Sequence, residues 1–155
     1  MSIWLMKSEP KEFSIDDLVN AEDQTVPWFG VRNYLARNFM CDQMKTGDKV
    51  LFYHSSCPEP GIAGLAVVAS PAYPDETQWE RTSKYFDPKA TAATPRWFLV
   101  DVKLVKKTRL LSLAEMRAQT SLAEMITLQR GNRLSITPVK STELKVVLKL
   151  LGTRF

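Results

Sequence analysis

The sequence predicts a small mixed α/β fold of the α+β type, in which short helices surround a curved or barrel-like β-sheet. Strand-like and helix-like segments are interspersed along the chain, with one long irregular segment in the middle. Residues 61–70 (GIAGLAVVAS) are apolar on both faces, which favours a strand covered on both sides. A length of 155 residues is enough for one domain to bury a core without disulfides or metals.

Each element has its own signal in the sequence. Predicted strands cover residues 3–7, 49–55, 61–70, 96–107 and 133–139. Ser14 followed by Asp17 predicts a capped helix start, and Gly152 closes a final amphipathic helix. The spacing of Val31, Leu35 and Phe39 predicts a helix with one buried face. The segment SLAEM occurs at 112–116 and 121–125, which predicts two further capped helices, and residues 71–95 contain four prolines and predict a surface loop.

Composition is that of a soluble globular protein, with 45% hydrophobic and 25% charged residues, and a cytoplasmic location is expected. Neither a secretory signal nor a membrane-spanning segment is expected, and the two cysteines do not form a disulfide framework. We expect a monomer without membrane contact.

Charge is unevenly distributed along the chain. Residues 1–95 contain 9 basic and 13 acidic side chains, whereas residues 96–155 contain 12 basic and 4 acidic side chains. The basic half is compatible either with a polyanionic partner or with a well-solvated surface. On the first interpretation, Lys106, Lys107 and Arg130 belong to a surface that follows a nucleic-acid backbone.

Catalytic and cofactor signals are few. His54 is the only histidine, and it lies close to Cys57 in sequence, so a Cys–His enzyme is one alternative. No metal-ligand spacing and no phosphate-binding glycine loop is present, and we expect neither a metal nor a cofactor.

The aromatic residues favour a binding role. Trp28 lies outside the apolar helix face, and Trp97 projects from the less apolar side of its strand. Flat aromatic rings next to fixed hydrogen-bond donors suit a nucleobase. Arg32 and Asn33 stand at a helix start, where anions are favoured. The structural alternative is a surface ion pair between Arg32 and Asp16 or Asp17.

Ordered sequence blocks carry a family resemblance over essentially the whole chain. These blocks are WLMKSEP (4–10), FSIDDL (13–18), WFGVRNYLARNFM (28–40), GDKVLFYHSS (47–56), GIAGLAVV (61–68), AYPD (72–75), YFDPKA (85–90), PRWFLVDV (95–102) and RLSITPV (133–139). The chain thereby resembles the EVE domain family, with a looser similarity to the YTH domain that binds N6-methyladenosine. The resemblance implies a PUA-like fold, one EVE domain over residues 1–155, and a non-catalytic reader of modified nucleobases.

The resemblance also implies a site. Its expected residues are Lys7, Ser8, Glu9, Trp28, Gly30, Val31, Arg32, Asn33, Tyr53, His54, Ser55, Tyr73, Asp75 and Trp97. Trp28 would stack on the base, Gly30 would let the backbone approach it, and Arg32 and Asn33 would contact its edge or a phosphate. Tyr73, Trp97 and Trp4 are the candidates for a second aromatic wall.

The expected ligand is DNA or RNA containing a modified cytosine, such as 5-methylcytosine or 5-hydroxymethylcytosine. Any restriction or modification enzyme that acts with this chain is expected to be a separate protein. Two alternatives stay open: a small enzyme that uses His54 and Cys57, and a sensor of free nucleosides or other small ligands.

Overall fold

The computed structural model describes all of residues 1–155. Eight strands are β1 (Ile3–Ser8), β2 (Thr25–Pro27), β3 (Lys49–His54), β4 (Gly61–Val68), β5 (Tyr73–Pro74), β6 (Phe98–Leu99), β7 (Asp101–Ser112) and β8 (Ile136–Pro138). Four α-helices are α1 (Ile15–Asn20), α2 (Tyr34–Asn38), α3 (Leu113–Arg117) and α4 (Ser141–Leu151). Short 3₁₀ turns occupy Glu22–Gln24, Glu76–Trp79, Thr120–Leu122 and Ile126–Leu128.

The main sheet has six strands in the order β2-β7-β4-β3-β1-β8 and is curled into a half-barrel. Strands β5 and β6 form a separate two-stranded pair. The prediction of a curved mixed sheet with short surrounding helices is confirmed.

Strands β1 and β3 are neighbouring inner strands of this sheet and run parallel to each other. Their register places Lys7 opposite Tyr53 and Ser8 opposite His54. The chain continues this pairing past both strand ends, because the Ser55 amide donates to the Ser8 carbonyl at 3.0 Å. Segments more than forty residues apart in sequence therefore leave the sheet side by side.

Both faces of the main sheet are covered by apolar side chains. Alternate residues of a strand point to opposite faces, so Phe52 joins one cluster with Trp28 and Ile15, and Leu51 joins the other with Val147. The predicted strand buried on both sides is confirmed, because Gly61–Ala66 of β4 are all buried, but it ends at Val68 and not at residue 70.

The helix starts follow the predicted caps in part. Ser14 accepts from the Asp17 amide, and Ser112 accepts from the Glu115 amide at the start of α3. The second SLAEM segment does not form an α-helix, since only 3₁₀ turns follow residue 119 before β8. Gly152 ends α4 with a φ of 65°.

Helix α2 differs from its prediction. It begins only at Tyr34 and continues into a π-helical turn over Phe39–Gln43. Val31 lies outside the helix, and within α2 and the turn that follows it the inward positions are Ala36 and Met40, whereas Leu35 is 48% exposed. The expectation that Leu35 belongs to the core is wrong.

The predicted strand over residues 96–107 is divided at Val100 into β6 and β7, and β7 extends to Ser112. No helix of the structure has both the length and the apolar character that a membrane span requires.

Candidate nucleobase-binding site

A cavity of about 620 Å³ opens where β1 and β3 end. Such a volume lies within the range of roughly 300–1,000 Å³ that is usual for small-ligand sites. Its wall combines aromatic rings with charged and hydroxyl side chains, and it lies on the same side of the sheet as Trp28.

Nine of the fourteen expected site residues line this cavity. They are Lys7, Ser8, Glu9, Trp28, Gly30, Val31, Arg32, Asn33 and Ser55. The parallel ends of β1 and β3 place the first three next to Ser55, and the others come from the segment between β2 and α2.

Sequence reasoning missed ten further lining residues. They are Glu12, Phe13, Val26, Pro27, Phe29, Ser56, Tyr85, Asn132, Arg133 and Ser135. Tyr85 belongs to the block YFDPKA, and that part of the family resemblance is the signal that could have identified it. Ser135 is held beside the site because its carbonyl accepts from the Lys7 amide at 2.8 Å.

Two residues of β3 were expected in the site but lie elsewhere. Tyr53 belongs to the apolar cluster on the opposite sheet face, since its neighbours Phe52 and His54 point the other way. His54 Nε2 accepts from the Ile15 amide at 3.0 Å and so connects β3 to the start of α1. Burial lowers the pKa of His54 below its ordinary value.

Two aromatic candidates for a second wall are also absent from the cavity lining. The Tyr73 hydroxyl donates to Asp101 at 2.5 Å, and burial and this bond raise the Tyr73 pKa. Trp97 is 6% exposed, stacks on Tyr34 with ring centres 4.8 Å apart, and donates from Nε1 to Asp87. Both residues stabilise the loop that precedes β7.

Trp4 was the third candidate, and it lies in the core. Its indole Nε1 donates to the buried carboxylate of Asp48 at 3.1 Å.

A buried hydrogen-bond network holds one wall of the cavity in place. Asp75 is fully buried at its centre. Its Oδ2 accepts from the Gly30 amide at 2.8 Å and from Arg32 Nη1 at 3.1 Å. Its Oδ1 accepts from the amide and the hydroxyl of Thr77. Arg32 Nε and Nη2 in turn donate to the Tyr85 carbonyl at 3.1 and 2.9 Å. The structural alternative, an ion pair of Arg32 with Asp16 or Asp17, is wrong, because Arg32 pairs with Asp75.

Tyr85 is the aromatic ring that this network positions. A Cβ atom on Gly30 would lie 2.7 Å from the Tyr85 ring. The absence of a side chain at Gly30 therefore lets the Tyr85 ring pack closely against the backbone at this position. The Tyr85 hydroxyl donates to Glu12 at 2.8 Å, and Glu12 also forms an ion pair with Lys84.

Trp28 belongs both to the cavity and to the core. It is only 7% exposed and packs edge-on against Phe52 with ring centres 5.3 Å apart. Trp28 thus lies before helix α2, outside its apolar face, and is nevertheless part of the core.

Free polar groups remain at the cavity wall. Glu9 is exposed, forms no side-chain hydrogen bond within the chain, and its charge adds to burial in raising the Tyr85 pKa. Burial lowers the pKa of Lys7, whose ammonium lies 5.9 Å from the Tyr53 ring centre. Other groups are occupied: Ser8 Oγ donates to the Phe13 carbonyl, and Asn33 Oδ1 caps α2 by accepting from the Ala36 amide.

Comparison with known proteins decides the family, since residues 2–150 match the EVE domain. The chain belongs to the EVE domain family. Human thymocyte nuclear protein 1 is 42% identical to this EVE domain over 167 residues, which cover 96% of this chain and 73% of that protein.

Solved structures of similar proteins confirm the PUA-like fold of this EVE domain. The crystal structure of human THYN1 protein in complex with DNA containing 5-methylcytosine has a TM-score of 0.93 and 41% identity, and each chain is covered completely. A protein from Pseudomonas putida has a TM-score of 0.90 and 46% identity, with 96% of this chain and 98% of that chain covered.

The alternative of a Cys–His enzyme requires contact between His54 and Cys57, and the two side chains are not hydrogen-bonded in this EVE domain. His54 directs Nε2 to the Ile15 amide, and no hydrogen bond joins it to Cys57. No three His, Cys, Asp or Glu side chains are close enough to hold a metal ion.

Proposed function

We propose that this EVE domain is a non-catalytic module that binds DNA containing a modified cytosine, with 5-methylcytosine as the expected mark. The observation that carries the proposal is the solved complex of the similar human THYN1 protein with DNA containing 5-methylcytosine. In this proposal the base leaves its stack and enters the cavity at the ends of β1 and β3.

The aromatic lining supports a flat ligand. Trp28 and Tyr85 both line the cavity, and Arg32 fixes the backbone of Tyr85. Stacking of one base on an aromatic side chain contributes about 1–3 kcal/mol. That gain offsets the few kcal/mol that extrusion of a base costs.

The free carboxylate of Glu9 supports recognition of cytosine. Glutamate accepts from the exocyclic N4 amine of this base. Both Asp75 oxygens already accept two hydrogen bonds each, so Glu9 is the acceptor that remains for the base. Ser55, which also lines the cavity, is a nearby donor for the rest of the base edge.

Titration with matched oligonucleotides tests the proposal. The strands differ only in one position, which holds cytosine, 5-methylcytosine, 5-hydroxymethylcytosine or, as a separate control, N6-methyladenine. One methyl group in an apolar slot supports a preference of roughly 10- to 200-fold over cytosine. Equal affinity for marked and unmarked strands, or a preference for the methylated adenine, contradicts the proposal.

Two further arms of the same experiment address the open alternatives. An RNA series of the same sequence compares the two nucleic acids, and the free modified nucleoside tests a small-ligand sensor. Recovery of the bound oligonucleotide with its base unchanged is expected for a module without turnover.

A further inference from the structure

Extrusion of a base leaves a gap in the duplex. Proteins that distort DNA frequently place an apolar side chain between neighbouring bases, where it replaces the missing stacking. A side chain with this role must be large, exposed and close to the opening that receives the base.

Phe29 meets all three conditions. It is 46% exposed, and it lines the cavity between the buried Trp28 and the glycine that follows. The other aromatic residues that are at least 36% exposed are Tyr34, Tyr73 and Phe86, and none of these lines the cavity. The Phe29 ring touches Tyr85 edge-on, with ring centres 5.9 Å apart.

The backbone around Phe29 is fixed on both sides. The Trp28 amide donates to the Val100 carbonyl, and the Phe29 amide donates to the Pro27 carbonyl, both at 2.9 Å. On the other side the Gly30 amide donates to the buried Asp75 carboxylate at 2.8 Å. The exposed ring therefore projects from a rigid support, which lowers the entropy cost of ordering it against DNA.

We propose that Phe29 enters the space vacated by the extruded cytosine and stacks between the flanking bases of the duplex. This inference rests on the proposed function, in which a modified cytosine leaves a DNA duplex. It gives the domain an interaction with the DNA stack in addition to its interaction with the base.

The test compares the duplex with the same marked strand alone, because a single strand has no paired stack to repair. Phe29→Ala is expected to weaken duplex binding by roughly 5- to 150-fold, the range that corresponds to the stacking of one aromatic side chain on a base. Its affinity for the single strand is expected to fall by a clearly smaller factor than its affinity for the duplex, because Phe29 also lines the cavity. Phe86→Ala is the matched control, since Phe86 is 36% exposed and lies outside the cavity lining.

A second readout follows the base stack directly. The fluorescence of a 2-aminopurine placed beside the modified cytosine reports whether an aromatic ring covers the 2-aminopurine. Phe29→Trp is expected to retain the fluorescence and the duplex affinity of the wild type. Phe29→Leu, which keeps an apolar side chain, is expected to fall between wild type and Phe29→Ala.

The outcomes separate the two proposals. Equally weakened binding of duplex and single strand means that Phe29 is a wall of the cavity, and unchanged duplex binding means that it has no role; either result overturns the inference. A wild-type protein that binds the marked single strand but not the duplex also overturns it, while the proposed function stands. A wild-type protein without preference for the mark contradicts the proposed function itself.

Discussion

Glu9 is the residue that would distinguish 5-methylcytosine from thymine. Both bases have a methyl group at C5, but cytosine presents an N4 amine where thymine presents the O4 acceptor. We predict that wild type prefers the cytosine by about 5- to 150-fold, the equivalent of 1–3 kcal/mol for one good base contact. In Glu9→Gln this preference is expected to disappear, because an amide can pair with either group.

Fluorescence titration with strands that differ only in this base measures the ratio. Glu59→Gln is the control, as Glu59 is an exposed glutamate outside the cavity lining. A wild-type ratio retained by Glu9→Gln would remove Glu9 from base recognition.

His54 makes stability depend on pH in a defined window. Its Nε2 accepts from the Ile15 amide, which requires the neutral ring. Burial lowers the His54 pKa; the charge of Asp16 partly opposes this, and the charge of Lys107 adds to it. A histidine whose pKa is lower in the folded state than in the unfolded state binds protons more readily when the chain is unfolded. The stabilisation is therefore complete above the ordinary histidine pKa of about 6.5 and is lost as pH falls through the folded value.

Urea unfolding midpoints between pH 7.5 and 5 measure this effect. The midpoint of wild type is expected to fall over that range, whereas His54→Gln, whose side-chain carbonyl can accept the same bond, is expected to vary less. Parallel curves for the two proteins would assign the pH dependence to other groups.

At the scale of elements, the turn between β2 and α2 fixes the Tyr85 wall. Gly30 has a φ of 87°, and an added Cβ would lie 2.7 Å from the Tyr85 ring. We predict that Gly30→Ala lowers stability by more than the roughly 1–3 kcal/mol of backbone strain alone, and that it also weakens binding of the marked strand.

Gly152→Ala is the matched control, because its φ is 65° and nothing lies within 4 Å of an added Cβ. Thermal melting measures the loss of stability in both variants, and titration measures their binding of the marked strand. Gly152→Ala shows the effect of backbone strain alone, and the additional loss in Gly30→Ala is the effect of displacing Tyr85. The double variant Gly30→Ala/Tyr85→Ala is expected to recover part of the stability; no recovery would mean that the ring is not the obstacle.

Local signals in the sequence predicted those elements that depend on neighbouring residues. The Ser14 cap, the doubly buried β4 and the ending of α4 at Gly152 are such cases. The π-turn after α2 was not predictable, because the three- and four-residue spacing of an α-helix does not describe it. Tyr85 was missed because it lies in an irregular segment and is brought to the cavity by long-range contacts, among them the hydrogen bonds from Arg32 to its carbonyl.

At the scale of the whole molecule, the uneven charge along the sequence is partly neutralised in the fold. Lys107 pairs with Asp16 at 2.6 Å, and Lys103 pairs with Asp23 at 3.4 Å, so basic β7 lies against acidic segments of the other half. Lys106 Nζ donates to the Thr153 hydroxyl. The expected surface with Lys106 and Lys107 therefore holds fewer free charges than the sequence indicates.

Arg130 and Arg133 form no ion pair, and Arg133 lines the cavity. We predict that they bind phosphates of the DNA backbone, so that their joint replacement by alanine lowers the slope of log K against log salt by about 0.9 for each phosphate that is no longer neutralised. Lys145 and Lys149 provide the control, because they are two unpaired exposed cations on α4, which packs on the opposite sheet face. Equal slopes for the two double variants would assign the arginines to solubility.

The cavity draws its wall from positions between Lys7 and Ser135, which is most of the chain. Interactions between such distant segments form late, because each requires closure of a long loop. A chain still emerging from the ribosome thus has no base-binding surface until the residues after β7 have joined β1. Ligand affinity consequently reports completed folding, and a DNA ligand at 100 times its Kd would add about 2.7 kcal/mol to the stability of the native state.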